Sequence, residues 1–485
     1  MDLISIFHIQ NNGTTGCSTT RGAASQLLAS AIQFLTASQC FIVEKPSNDT
    51  GNSEKYDFIV VGSGSAGGAV AARLSEIPYL SPQLQNTKYD WQYDLESDKV
   101  NHQAVKNGVI RWPRGKMSGG SSSINYMIYV RGRDADFKNW QDGGNPSWSP
   151  ENVSSKFKKL ESLQNMNLLQ DPNIKNYYGS DGPVIINNCN STNRELTEKV
   201  IDSLDYIGIK RVKDINSAKY EGFGVSGIIS MNTASGKRSS VYSAYLVPAN
   251  KRSNLKILTG AYVTKILLND KNEAYGVEVN VNGQNETYYS NKEVIENTTG
   301  IKSRFEKFKD EVATSFAAFN DKQALFIFSV ILLHPLSQGS VSLRSSNPYD
   351  KPIIKYNYFE DERDVQIIAE GIKAFVKIVD LPYFKSINAF VQRINVTQCN
   401  DLQFQSEDYW ECYLKNLALS VDHPGGTCKM GPNIETAVVD NYLKVHGVKN
   451  LRVIDASIMP NVTSGNTNAP SIMIGEMGAD MIKQE

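Results

Sequence analysis

The apolar runs along the chain predict where its ordered elements lie. Tyr56-Asp57-Phe58-Ile59-Val60-Val61 is aromatic and β-branched and reads as a buried strand of the parallel type. Gly62-Ser63-Gly64-Ser65-Ala66-Gly67 follows at once, and then an Ala-rich stretch from Gly68 to Glu76, which together predict strand, glycine-rich turn and helix. The densest apolar stretch, Ala324 to Leu333, is too short to span a bilayer and reads as another buried strand. Asn468-Ala469-Pro470 reads as a cap followed by a first-turn proline, opening a helix that runs to about Lys483.

The turn has a definite chemistry. Gly62 permits a tight bend, Gly64 lets the backbone approach a pyrophosphate with no Cβ in the way, and Gly67 lets the helix pack closely on the strand. Phosphates would meet unpaired N–H groups where the helix dipole favours an anion. The same logic requires a second strand ending in an acidic residue about 20 positions on, where a carboxylate accepts the ribose hydroxyls. From Ile77 to Asp90 the chain carries Pro78 and Pro82 and no β-branched run of strand length. No second strand can be read there, and Asp90 is not assigned the ribose role.

Composition narrows the class. A chain of 485 residues exceeds one ordinary core and predicts two domains. Its 40% hydrophobic and 21% charged residues exclude a mainly disordered or many-spanning membrane protein. Lys and Arg (50) nearly cancel Asp and Glu (51) without a basic stripe, so small molecules are the expected partners and nucleic acid is not. Ala24 to Val43, after Arg21, reads either as a poor secretory segment or as a polar leader, and Ser47 to Glu54 as a polar linker. No transmembrane segment is expected. The six cysteines show no CxxC spacing, which argues against zinc or a redox dithiol, while Cys399 and Cys412 are near enough to form a local bridge. Sequons at Asn12, Asn48, Asn152, Asn190, Asn285, Asn297, Asn395 and Asn461 would suit a secreted glycoprotein, so an extracellular location is expected.

Three further segments carry chemistry. Trp112-Pro113-Arg114-Gly115-Lys116-Met117-Ser118-Gly119-Gly120-Ser121-Ser122-Ser123-Ile124-Asn125-Tyr126-Met127 is small, polar and basic at one end, suited to lie against a phosphate or a flat heteroaromatic ring. Near the far end stand Asp422-His423-Pro424-Gly425-Gly426-Thr427-Cys428-Lys429-Met430-Gly431, and Leu451 to Pro460 leading into Thr463-Ser464-Gly465-Asn466-Thr467-Asn468-Ala469-Pro470.

With the glycine-rich turn, these segments in this order closely resemble the glucose-methanol-choline (GMC) family of FAD-dependent oxidoreductases, and in polar detail its insect glucose dehydrogenase (FAD, quinone) branch. The resemblance covers nearly everything from Tyr56 to Lys483, with weaker matches at Lys88 to Tyr93, Tyr242 to Val247, Val263 to Ile266 and His334 to Arg344. It implies an α/β (α+β) fold: a Rossmann-like FAD-binding domain over 56–141, 224–303 and 432–485, and an antiparallel-sheet substrate-binding domain over 142–223 and 304–431, after a leader over 1–55. It further implies that Gly62, Gly64, Ser65, Ala66 and Gly67 hold the ADP pyrophosphate. Arg114, Gly119, Ser121, Asn125 and Met127 would lie along the flavin, Val263 would meet the adenine through its backbone, and Asp455 and Ala456 would stand beside the flavin. The family's catalytic pair falls on His423 and Asn468. Hydride leaves the carbinol carbon as the hydroxyl loses its proton, so a neutral imidazole suits the base and a carboxamide can hold the oxygen. For His8, His102, His334 and His446 a structural role is expected.

Two departures concern competence. The ribose-binding strand is missing after Glu76. After Lys292-Glu293-Val294-Ile295, where relatives continue into a Ser-Pro-Gln and Ser-Gly-Ile-Gly signature, this chain runs Glu296-Asn297-Thr298-Thr299-Gly300 into a charged segment. Both gaps fall between well-matched blocks, as omitted coding segments would. The expected activity is oxidation of an alcohol or sugar CH–OH donor with FAD and a quinone-type acceptor; the alternative is a flavin-free or inactive family member. An NAD-dependent dehydrogenase would explain only the first motif.

Overall fold

The computed structural model describes residues 3–10, 55–62, 84–97, 101–188, 194–218, 224–235, 237–281, 283–296, 309, 311–312, 315 and 325–485. The strands that set out the architecture are β1 (Leu3–Gln10), β2 (Lys55–Val61), β3 (Ala261–Leu268), β4 (Ala274–Val281), β5 (Gln284–Glu296), β6 (Leu325–Leu332) and β7 (Leu451–Val453). A mixed sheet of five runs in the order β3-β4-β5-β7, with β2 also paired to β5. β3, β4 and the first half of β5 form an antiparallel meander. The last residues of β5 lie parallel to β2 on one side and to β7 on the other, so that Val294 faces both Ile59 and Leu451. Val294 is fully buried there, which is the environment a continuous apolar strand end requires.

β2 begins where the sequence predicts a strand, but it is not buried on both sides. Phe58 and Val60 are 38% and 62% exposed, because among the described residues β2 pairs with β5 alone. Gly64, Ser65, Ala66 and Gly67 lie outside the described residues, as do the helix to Glu76, Ala24 to Val43 and the Ser47 to Glu54 linker. β6 occupies the predicted 324–333 stretch. Its described side chains are half-buried except for the buried Ile331, since the strand lines a cavity. The leader expected over 1–55 contains β1, which pairs antiparallel with β6 from Leu3 opposite Leu332 to Gln10 opposite Leu325. Its β-branched and aromatic composition, LISIFHIQ, suits that pairing.

The helices that position the site are α1 (Asp134–Asp142), α2 (Pro150–Leu160), α3 (Glu362–Val376), α4 (Glu407–Leu417) and α5 (Asn468–Lys483). Side-chain caps fix three of their starts: Ser149 accepts from Asn152 N, with Pro150 at the first helical position, Asp361 from Arg363 N and Ser406 from Tyr409 N. One apolar cluster joins α1, α2 and α5 to β7 through Trp140, Trp148, Phe157, Val453 and Met473. A second packs α3 on α4 through Val365, Ile368, Tyr409 and Trp410. Cys399 and Cys412 are disulfide-bonded, tying α4 to the turn at Thr397–Cys399. Below the first cluster Arg131 and Glu161 form a fully buried ion pair, with Arg131 Nε donating to Oε1 at 2.6 Å and the Tyr129 hydroxyl at 2.7 Å. That charge-assisted bonding offsets the desolvation of both groups and fixes the chain just beyond the glycine loop. No helix among the described residues is long and apolar enough to cross a membrane.

Candidate active site

The loop from Trp112 to Met127 is held by its own serines. Ser121 Oγ accepts from Gly115 N at 2.9 Å, Ser122 Oγ donates to Gly119 O at 2.6 Å and accepts from Val241 N at 3.0 Å, and Ser123 Oγ donates to Ser118 O. Gly119 has φ of 84°, a left-handed conformation that begins the tight helix Gly120–Ser123. A Cβ there would lie 2.6 Å from Ser123 Oγ and 2.8 Å from Tyr242 Cβ, so only glycine fits. Arg238, buried, donates to Ser122 O at 2.9 Å, to Asn125 O at 2.6 Å and to Asn125 Oδ1. Burial brings its guanidinium down to about 9, as the loop oxygens it meets are neutral. Asn125 Oδ1 also accepts from Met127 N, which fixes Met127 at φ of 60°.

Asp90 sits below this loop and not at a strand end. Its carboxylate accepts from the backbone N–H groups of Asn86, Gln92 and Arg114 at 2.9–3.0 Å, which accounts for its burial without a ribose. The Arg114 guanidinium lies over the Trp112 ring. Burial brings it down to about 10, against the opposing pull of Asp422, Tyr93 and Asp90.

The two C-terminal segments are zipped together. Gly426 N donates to Ala456 O, Cys428 N to Ser457 O and Met430 N to Ile458 O, at 2.8–3.3 Å. Gly425 permits this approach, since a Cβ would stand 2.9 Å from Ala456 O. Asp455 caps the short helix Ala456–Ile458 by accepting from Ser457 N at 2.7 Å. The zipper carries His423, half-buried, to the start of α5. Its Nδ1 lies 3.1 Å from Thr467 Oγ1, and its Nε2 lies 2.7 Å from the Asn466 side-chain amide.

The ring partner is thus Asn466, where the sequence expectation paired His423 with Asn468. Thr467, not Asn468, is the N-cap of α5, and the helix runs to Lys483 as predicted. Asn468 lies in the first turn, where its Nδ2 is buried and has no partner among the described residues. Both carboxamides belong to one quoted segment, and the spacing alone did not distinguish them. Val263 lies on β3 opposite Val279, remote in sequence from the loop and the zipper. His446 bonds Gly431 O through Nε2, and His102 packs edge-on against Tyr356. His334 is not confined to packing. It lines the same cavity as His423, with Nε2 3.4 Å from Asp136 Oδ1 and from Ser464 Oγ. No local pattern in the sequence marks Arg238 or Asp136.

The cavity is bounded by β6, α3, α4 and the zipper, and has a volume of about 1520 Å³. Among the described residues no cluster of three or more His, Cys, Asp or Glu could hold a metal. One described group fits a bound flavin: the buried Asn468 amide is a donor left over for a bound group at a helix N-terminus.

Two models described as GMC oxidoreductase match residues 56–303 and 335–475. The ecdysone oxidase of Bombyx mori is 29% identical over an alignment of 605 positions, covering 97% of this chain and 88% of that protein. A glucose dehydrogenase [FAD, quinone] of Drosophila melanogaster is 28% identical, covering 97% and 94%. Human mitochondrial choline dehydrogenase is 29% identical, covering 89% and 90%. Among solved structures, a point variant of formate oxidase of Aspergillus oryzae superposes with a TM-score of 0.71 at 21% identity, covering 90% of this chain and 99% of that one.

Proposed function

The chain belongs to the GMC oxidoreductases, FAD-dependent enzymes acting on CH–OH donors, and on that premise we propose that His423 is the base for oxidation of an alcohol or sugar hydroxyl. The observation that carries this is the position of its ring at the cavity wall, 2.7 Å from the Asn466 amide. Nδ1 faces the Thr467 hydroxyl and Nε2 the Asn466 amide, and in the neutral tautomer with its proton on Nδ1 the ring keeps a lone pair on Nε2. That nitrogen takes the substrate's hydroxyl proton, and the Asn466 amide, within reach of the same point, holds the oxygen in line. FAD, when bound, supplies the two-electron acceptor for the hydride. Gly62, Gly64, Ser65, Ala66 and Gly67 would hold its pyrophosphate, Val263 would meet the adenine, and Arg114, Gly119, Ser121, Asn125, Met127, Asp455 and Ala456 would line the flavin, with Asn468 as a further donor there.

Electrons pass on to a quinone-type acceptor, as the name of the Drosophila relative states for that protein. An extracellular location is supported by the Cys399–Cys412 bridge and by exposed sequons at Asn152, Asn285, Asn395 and Asn461. Substitution His423→Ala should slow reduction of the bound flavin by substrate by on the order of 100- to 10,000-fold, with flavin content unchanged. An unchanged reduction rate would refute the base assignment.

A further inference from the structure

The walls of the cavity and its volume define a narrower class of donor. We propose that this chain oxidises alcohols whose hydroxyl stands on a bulky, largely apolar skeleton, of the size of a terpenoid or polycyclic alcohol, in preference to sugars. The proposal rests on the reading of His423 and its cavity as the site of oxidation.

At about 1520 Å³ the cavity exceeds the ~300–1,000 Å³ of most small-molecule sites. Away from the zipper its lining includes a broad aliphatic and aromatic stretch, with Ile331 from β6, Ile372 and Phe375 from α3, Phe390 and Val391 from the chain between α3 and α4, and Trp410 from α4. Polar side chains such as Ser329, Gln338, Lys355, Asn388 and Gln392 also line it, besides His423 and Asn466 at the zipper end. The two carboxylates in the lining are already engaged. Asp364 accepts from Leu336 N and Ser337 N, and Asp136 from Arg133 N, Ser464 N and Ser464 Oγ.

Such a wall favours one polar end on an apolar body. A sugar placed against the aliphatic and aromatic stretch would exchange water for apolar contacts at the hydroxyls that face it, each loss costing affinity. An apolar body gains about fourfold per buried methylene. The reaction itself is unchanged along such a series: the carbinol carbon loses a hydride, the hydroxyl loses its proton, and the carbonyl compound leaves.

Two readouts test this separately. Trp112, Trp140 and Trp410 line the cavity, so quenching of tryptophan fluorescence reports occupancy without turnover. Farnesol should quench saturably and D-glucose should not. In anaerobic flavin reduction by the full chain with FAD, kcat/KM should rise on the order of a hundredfold from 1-butanol to 1-octanol, with D-glucose below both. Saturable glucose binding, or a flat or falling series with glucose preferred, overturns the donor class and leaves the oxidoreductase reading standing. Farnesol binding with no flavin reduction by any of these alcohols overturns the oxidoreductase reading instead, and with it the proposal.

Discussion

At the residue scale the site turns on which amide meets His423. The segment Thr463 to Pro470 offers Asn466 and Asn468, and both lie in a motif that reads as a helix start. Only the position of the cap at Thr467 decides which one reaches the ring. Asn466→Ala should therefore lower kcat for alcohol oxidation by about ten- to a hundredfold, since it removes a positioning contact without removing the base. Asn468→Ala should act mainly on flavin retention; a larger loss of kcat from Asn468→Ala at equal flavin content would reverse the two roles. Asp136 gives a second residue-level expectation. Burial alone would raise its pKa, but bonds from His334, from the Arg133 and Ser464 N–H groups and from the Ser464 hydroxyl outweigh burial and hold it below the usual carboxylate value. A depressed native pKa stabilises the fold above the unfolded value of about 3.9, and the contribution is lost as pH falls toward the native value. In urea unfolding, Asp136→Asn should cost about 1.5–3 kcal/mol at pH 7 and progressively less below pH ~4. A gap that stays constant with pH would contradict the ionised state assigned to Asp136.

At the scale of elements, local pattern and long-range pairing parted company. β2, β6 and α5 were legible because each is an apolar run bounded by glycine, proline or a cap. The sheet was not, because β5 joins partners near residues 59 and 451 that no local pattern connects. β1 was read as leader from its position before a polar stretch, although its own composition is that of a strand. The loop around Gly119 is legible as a glycine- and serine-rich motif, but the buried Arg238 that clamps it comes from outside that motif. The Cys399–Cys412 bridge belongs to this scale as well. It closes a loop with a sequence separation of 13 between the turn before α4 and the helix itself. Cys412→Ser should lower stability by about 3 kcal/mol, read as a fall in the urea midpoint with little change in the slope. An unchanged midpoint would mean that the apolar cluster of α3 and α4 fixes this turn without the bond.

At the scale of the whole molecule, the chain matches the GMC oxidoreductases along most of its length but carries no acidic second strand after Glu76. The zipper carries His423 to Asn466 and to Thr467, the cap of α5. On the other side, β2 has a partner on one edge among the described residues, with Phe58 and Val60 exposed, next to the place where the sequence carries no acidic second strand. The match to the Bombyx relative spans 605 positions against 485 residues here, so it bridges stretches that this chain lacks. On the proposed reading, the residues from Arg114 to Asn468 would then hold the cofactor with less help from the ribose side. The most direct measurement is the visible spectrum of the purified full chain, recorded anaerobically before and after an alcohol is added. The account predicts a flavin band that is present, or appears on adding FAD, and bleaches with the alcohol. A protein that takes up no flavin, or whose flavin band no alcohol bleaches, would contradict it.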